Sequence, residues 1–357
     1  MKPVVNRKRG FSHAIFMKTM KLITITLVLT ISACTTTSKK PNASFTLAFG
    51  SCNEQHLENV LWQEIEKHHP DVWVWGGDII YSDTYDMDVL RKNYQIQKDN
   101  IAYKHFVGTT EIIGSWDDHD YGVNDGGIEY SEKAASQQLF LDFMNVPKDS
   151  SRRSQEGIYN AHDYQIGKHS IKIIVLDTRY FRTAITPNPN PAGDQRFIPN
   201  NYGDGTMLGE AQWQWLEQQL KNSKADFNII NSSIQFLSPV HGFEKWANMP
   251  HEVDKMEQLI QSSKARNVII LSGDRHISEF SQKNIQGLDY PLVDFTSSGM
   301  THAYNKEKIE PNKYRVGDNI VVNSFGIIQF NLSTGKVAME IRGENNQVLR
   351  SYTHNYN

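Results

Sequence analysis

Two cysteines in 357 residues, Cys34 and Cys52, are too few for a disulfide framework. Long apolar runs are also missing. The segment at residues 22–31 falls short of the ~20 residues that a membrane-spanning helix needs. Charge of one sign does not accumulate: the net charge is −3, Lys and Arg are scattered, and no basic stripe marks a polyanion-binding face or a nucleic-acid-binding module. There is no internal repeat, no long low-complexity tract and no clear linker after residue 44. What remains is 39% hydrophobic and 11% aromatic residues, enough to bury a sizeable core as one large domain or two small ones.

The first 40 residues are of a different kind. Lys18 and Lys21 precede the apolar segment, which has the length of a signal h-region, whether translation starts at Met1, Met17 or Met20. Ile31-Ser32-Ala33-Cys34 resembles the lipobox of bacterial lipoproteins. This predicts a signal peptide at 1–33, a lipidated Cys34, a polar tether at 34–44 and a folded domain at 45–357. The expected location is the envelope of a bacterium, periplasm or outer membrane, with the chain anchored by its lipid. Cys52 would then lack a disulfide partner, and its place at a strand end favours a metal-bound thiolate over a buried structural thiol.

Four short polar motifs each follow an apolar run: FGSCN at 49–53, WGGDIIYSD at 75–83, SWDDHDYGVND at 115–125 and LSGDRHISEF at 271–280. The preceding runs, 45–49, 72–75, 111–114 and 267–271, are short enough for strands and too short for helices. Strands that stop at Gly or Asp deliver their next residues to one rim of a sheet, so the motifs read as metal ligands sharing one site. Further strands are expected at 172–176, 227–231, 292–296, 320–322, 327–332 and 336–341. Helices are expected at 57–67, 88–100, 131–144, 209–221 and 253–263. Helices between the early strands and paired strands at the end imply an α/β (α+β) fold, a four-layer αββα sandwich of mixed sheets. Residues 183–207, rich in Pro, Asn and Gly, have no periodicity and read as a functional lid or rim.

The ordered set GSCN, GDIIYSDT, WDDHDYGVNDGG, LDTRYFR, SSIQFLSPVHGFEKWANMPHE, LSGDRH and FTSSGMTH resembles the alkaline phosphatase D family, a calcineurin-like metallophosphoesterase branch. The resemblance runs from about residue 45 to 332. It implies phosphodiesterase or alkaline phosphatase activity with iron(III) and calcium, zinc or manganese being the alternatives. It implies further that Cys52, Tyr81 and His276 hold the iron and that Asp78 bridges to a second cation. Asp118 and Asp274 would bind that second cation, with Asp117 in or behind the shell. Anionic phenolate and thiolate donors suit a trivalent ion, whereas oxygen-only donors suit calcium. His119 would be the general acid, with Asp120 available to hold its ring.

Two cations so held would activate a water for in-line attack on phosphorus, leaving Ser51 no role as a nucleophile. Asn53, Arg179 and Arg275 are candidates for contacting the equatorial oxygens. Arg179 could instead pair with Asp177, and Arg275 could point away. His241, Phe243, Trp246 and His251 either line a pocket or pack a loop core. Longer relatives of this family carry a β-sandwich domain before the catalytic part and C-terminal gating elements; neither is expected here, which implies a more open site. Two other readings stay open: a noncatalytic metal-stabilised surface lipoprotein, and a sulfate-ester hydrolase on the same scaffold.

Overall fold

The computed structural model describes residues 43–304 and 310–356. The expected signal peptide, the lipidation site Cys34 and the tether before residue 43 lie outside the described residues. The strands are β1 (Ser44–Gly50), β2 (Val72–Gly76), β3 (Glu111–Ser115), β4 (Asn160–Ile166), β5 (His169–Val175), β6 (Thr186–Pro187), β7 (Phe197–Ile198), β8 (Phe227–Asn231), β9 (Val268–Ser272), β10 (Ser278–Lys283), β11 (Leu292–Ser297), β12 (Phe325–Asn331), β13 (Lys336–Arg342) and β14 (Val348–Asn355). The helices are α1 (Leu61–Glu66), α2 (Met87–Asp99), α3 (Ile101–Val107), α4 (Asp118–Tyr121), α5 (Lys133–Phe143), α6 (Gly209–Asn222) and α7 (Pro250–Ser263).

Two six-stranded mixed sheets form, in the orders β14-β13-β12-β1-β2-β3 and β10-β11-β9-β8-β5-β4. The neighbours β1, β2 and β3 run parallel, as do β5, β8, β9 and β11. Period-2 alternation assigns the faces. On β1, Phe45 and Phe49 point to the other sheet, meeting Tyr164 of β4 at 5.1 Å and Phe295 of β11 at 4.7 Å between ring centroids. On β2, Trp73 and Trp75 point outward and pack on Trp62 of α1 at 5.2 and 5.4 Å. The second sheet is covered by α6 and α7, through Lys172 to Gln219 at 3.2 Å and the ion pair of Lys283 with Glu257. Helices therefore flank two facing sheets, the order that the alternation of elements implied. Among the described residues no helix is long and apolar enough to cross a membrane.

One expected strand does not form. Residues 320–322 make a single bridge, Ile320 to Ser278, and Arg315 makes another to Ser281. This irregular stretch lies along the outer edge of β10, covering backbone groups that a free edge would expose. Besides the two-residue strands β6 and β7, three strands are missed by sequence, β4, β10 and β14. Their alternating polar residues suit edge positions of each sheet rather than the apolar interior. The helix expected from residue 57 starts at Leu61, whose N–H is taken by the Asn59 side chain at 2.9 Å. The unexpected α3 follows an extended Asn100 that ends α2 and caps Tyr103 N–H at 3.0 Å.

Candidate metal centre and active site

The C-terminal ends of the parallel strands of both sheets converge. Cys52 follows β1, Asp78 follows β2, Asp117 to Asp120 follow β3, Arg179 follows β5, Asp274 to His276 follow β9 and Ser298 follows β11. Two glycines make the approach possible. A Cβ at Gly273 would lie 2.5 Å from both Gly76 O and Ser51 Oγ, and one at Gly77 (φ +92°) would lie 2.5 Å from Asp117 Cβ. Cys52, Asp78, Asp274 and His276 all adopt left-handed backbone, φ 57°, 49°, 66° and 54°. Such conformations cost energy in non-glycine residues and gather where a site needs its side chains re-aimed.

Cys52, Asp78 and His276 offer ligand atoms that all lie within 4.8 Å of one another. Cys52 Sγ is 3.4 Å from Asp78 Oδ2. The Tyr81 hydroxyl joins them, 3.3 Å from Asp78 Oδ2 and 3.2 Å from His276 Nε2. The His276 Nδ1 faces the His302 carbonyl at 3.1 Å, which leaves Nε2 for this cluster. Asp117, Asp118 and Asp274 form a second group of the same dimensions, and Asp78 also lies with Asp118 and His119. The structure thus brings together all seven residues expected as ligands.

The donor set fits cations. Buried Asp117 Oδ2 has no hydrogen-bond partner. Burial, then the charge of Cys52, pushes the Asp78 carboxyl well above its ordinary range. Burial pushes Asp274 up to about 7 and the Cys52 thiol up to about 11. Burial, reinforced by Cys52 and Asp78, also raises the Tyr81 phenol. This crowding of acids, which Arg179 and Arg275 offset only in part, is what a bound metal relieves, because the ion's own charge inverts the local balance.

His119 sits beside the second group, its Nε2 3.9 Å from Asp118 Oδ1. Burial alone would lower its pKa; the carboxylates of Asp118, Asp78 and Asp83 outweigh burial and raise it to about 11. Asp83 holds the ring, with Oδ2 2.7 Å from Nδ1, and Tyr81 packs against it at 4.2 Å between centroids. Asp120 does not hold the ring. Its carboxylate is buried and accepts from Asp117 N at 2.6 Å and Ile79 N at 3.1 Å, stitching the β2 and β3 ends together.

Two more expectations need correction. Asn53 is buried and fully used, donating to Ile79 O and Gln97 Oε1 and accepting from Asn59, all at 2.8–2.9 Å; it faces away from substrate. Arg179 is wholly buried, its guanidinium bound to Asp117 Oδ1 at 2.5 Å and to Glu244. Only its backbone N–H reaches Asp177, at 3.0 Å. Arg275 does line the cleft, paired to Glu310 at 2.6 Å and lying 4.1 Å over the Phe243 ring. Of the four candidates at 241–251, Phe243 lines the cleft, whereas Trp246 and His241 are buried and His251 faces Gly205 O. Ser51 is buried with its hydroxyl toward Ser297 O at 3.2 Å.

The cleft above the ligands, about 210 Å³, is bounded by Asp118, His119, Asn124, Arg196, Phe243 and Arg275 among others. A larger cavity between α2, α3, α5 and β3, about 470 Å³, contains none of the ligand candidates. Sequence reasoning missed Asp83, Asp125, Arg196, Ser298 and His302. Four of these sit inside or beside the quoted motifs, but linear spacing does not tell which carboxylate or hydroxyl folds back on a ligand. Arg196 lies in the aperiodic loop and carries no signal at all.

The family model described as PhoD-like phosphatase matches residues 47–348. The chain is 25% identical over 311 residues to alkaline phosphatase D of Bacillus subtilis (strain 168), spanning 71% of this chain and only 51% of that protein. Among solved structures, the fold matches one titled "Structure of PhoD", with TM-score 0.67 and 18% identity over 88% of this chain and 68% of that one. It also matches "GAP50 the anchor in the inner membrane complex of Plasmodium", with TM-score 0.59 and 11% identity over 88% of this chain and 90% of that one. These two likenesses show the fold alone. The chain belongs to the PhoD-like phosphatase family.

Proposed function

We propose that the chain is a metal-dependent phosphoric ester hydrolase acting on phosphate mono- or diesters. The observation that carries this reading is the packing of Cys52, Asp78, Tyr81, Asp117, Asp118, Asp274 and His276 around an open cleft beside an Asp83-held histidine. A purely structural metal site is closed and needs no proton donor alongside. Cys52, Asp78, Tyr81 and His276 would hold a trivalent iron, and Asp78, Asp117, Asp118 and Asp274 a hard oxygen-loving ion such as calcium. Bound cations supply positive charge to phosphoryl oxygens and lower the pKa of water.

The chain's own residues do the rest. His119, oriented by Asp83, donates a proton toward the leaving oxygen. Asp83 fixes the ring so that Nε2 is the donating atom. Arg179 holds Asp117 in place from behind. Retention on the envelope through a lipid on Cys34 is part of the same proposal, with residues 45–357 as the catalytic domain.

The test is elemental analysis of the full chain purified without chelator, paired with turnover of chromogenic mono- and diesters before and after metal removal. Near-stoichiometric iron and calcium with metal-dependent turnover supports the proposal. Bound metal without turnover of any phosphate ester refutes it and favours the noncatalytic reading.

A further inference from the structure

The arginines near the metal groups differ in what they are free to do. Arg179 and Arg182 have side chains 0% and 1% exposed and are consumed by Asp117 and Glu244. Arg275 is 8% exposed, braced between Glu310 and the Phe243 ring. Arg196 is different. Its side chain is 44% exposed, it lines the cleft, and its partner Asp125 is itself at the cleft wall.

The backbone that delivers Arg196 is held firmly. Its carbonyl accepts from Asn188 N at 2.8 Å, and the next residue, Phe197, donates to Gly242 O at 2.8 Å. Gly242 is needed there, since a Cβ would lie 2.3 Å from Asp194 O and from Gln195 Cα. Asp125 in turn is tied to the metal groups: its N–H donates to Asp118 Oδ2 at 2.7 Å, and one of its oxygens lies within 4.8 Å of Asp118 and Glu244. A guanidinium one hydrogen bond beyond Asp125 is therefore within about 8 Å of the Asp118 carboxylate. A phosphate beside a cation held by Asp118 would lie within reach of a hydrogen bond from this guanidinium.

We infer that Arg196 is a substrate-contacting residue: its guanidinium leaves Asp125 for a non-bridging oxygen of the phosphate in the cleft. This deepens the proposed function and rests on it. The exchange is inexpensive, because a partly exposed ion pair is weak in water and a charge-assisted bond to phosphate replaces it. The fixed backbone places the cation while the side chain swings, so the long loop 183–207 serves as a presenting element for one anion-binding group.

The experiment uses the full chain loaded with iron and calcium and measures inorganic phosphate binding by calorimetry, alongside KM and kcat for a chromogenic ester. Arg196→Ala should weaken phosphate binding about ten-fold or more, raise KM more than it lowers kcat, and leave the melting temperature unchanged. Arg196→Lys should recover part of the loss, and Arg91→Ala, an exposed pair with Asp88 on α2, should change nothing. Phosphate affinity within two-fold of the parent in Arg196→Ala, or no phosphate bound by the loaded parent, overturns the inference. Arg196-dependent phosphate binding without ester turnover supports it while refuting the hydrolase reading.

Discussion

Replacing Arg179 by methionine removes the one cation shared between two buried carboxylates. The guanidinium bonds Asp117 Oδ1 at 2.5 Å and also Glu244, and all three side chains are at most 2% exposed. Glu244 keeps Arg182 on its other oxygen at 2.7 Å, but Asp117 keeps only the Ser233 hydroxyl at 2.9 Å. Burial already disfavours the Asp117 carboxylate, and Arg179 is the largest influence opposing that. Breaking one side of a buried pair typically costs about 3–5 kcal/mol, because the abandoned charge has no water to turn to.

Urea melts of the metal-free protein should show this loss, equivalent to a fall of roughly 4–8 °C in melting temperature for a chain of this size. Asp117 can escape by taking a proton, so the loss should shrink at acid pH. The double variant Arg179→Met, Asp117→Asn should recover part of it, since the abandoned charge is removed. A loss below about 1 kcal/mol, the value of an exposed pair, would refute the claim that Arg179 is a structural brace and would return it to the list of phosphate ligands.

His119→Ala should lower kcat by about 10²–10⁴-fold with metal content retained, and Asp83→Asn should lower it less, by releasing the ring; metal loss in either variant would place His119 among the ligands instead. Asn53→Ala should destabilise by about 1–3 kcal/mol, since it strands Ile79 O, Gln97 and Asn59, while KM stays at the parent value; a KM effect without destabilisation would restore Asn53 to the substrate. Asp294 is buried, bonds Phe236 N, Leu237 N and Ser272, and burial raises it from 3.8 to about 6. A carboxyl raised on folding favours the native state below pH 4 and loses that contribution as pH rises through 6. Relative to Asp294→Asn, the parent should therefore lose on the order of 3 kcal/mol between pH 4 and 7; a gap that is flat across this range would contradict the shift.

The two-sheet plan was legible because it rests on apolar runs. Residues 45–49, 72–75 and 227–231 recur in the structure almost to the residue, each buried on both faces as central parallel strands are. Three of the four edge strands were not legible. β4 and β14 alternate polar residues and bury only one side, a pattern that a loop also shows. In the site, the ligands could be read because each lies within five residues of a strand end, so sequence position and spatial position coincide. Asp83 and Arg196 act across turns and loops, where the direction of the chain, and hence the partner, is set by tertiary contacts such as Ser82 N to His119 O at 3.1 Å and Phe197 N to Gly242 O at 2.8 Å.

The same distinction explains which assignments failed. Asn53 stands next to the ligand candidate Cys52, and Asp120 next to His119 on the cleft wall. Alternation at a strand end, and a tight turn after it, send neighbours in opposite directions. Cys52 at φ 57° turns its thiol toward Asp78, so Asn53 is sent inward to Gln97. Asp118 faces the metal groups from the first turn of α4, so Asp120, two positions on, caps the backbone from the other side. Residue type alone marks all of them as polar and therefore functional. The left-handed backbone at Cys52, Asp78, Asp274 and His276 aims their side chains at the ligand groups, where the strand ends crowd together at Gly77 within one sheet and at Gly273 between the two.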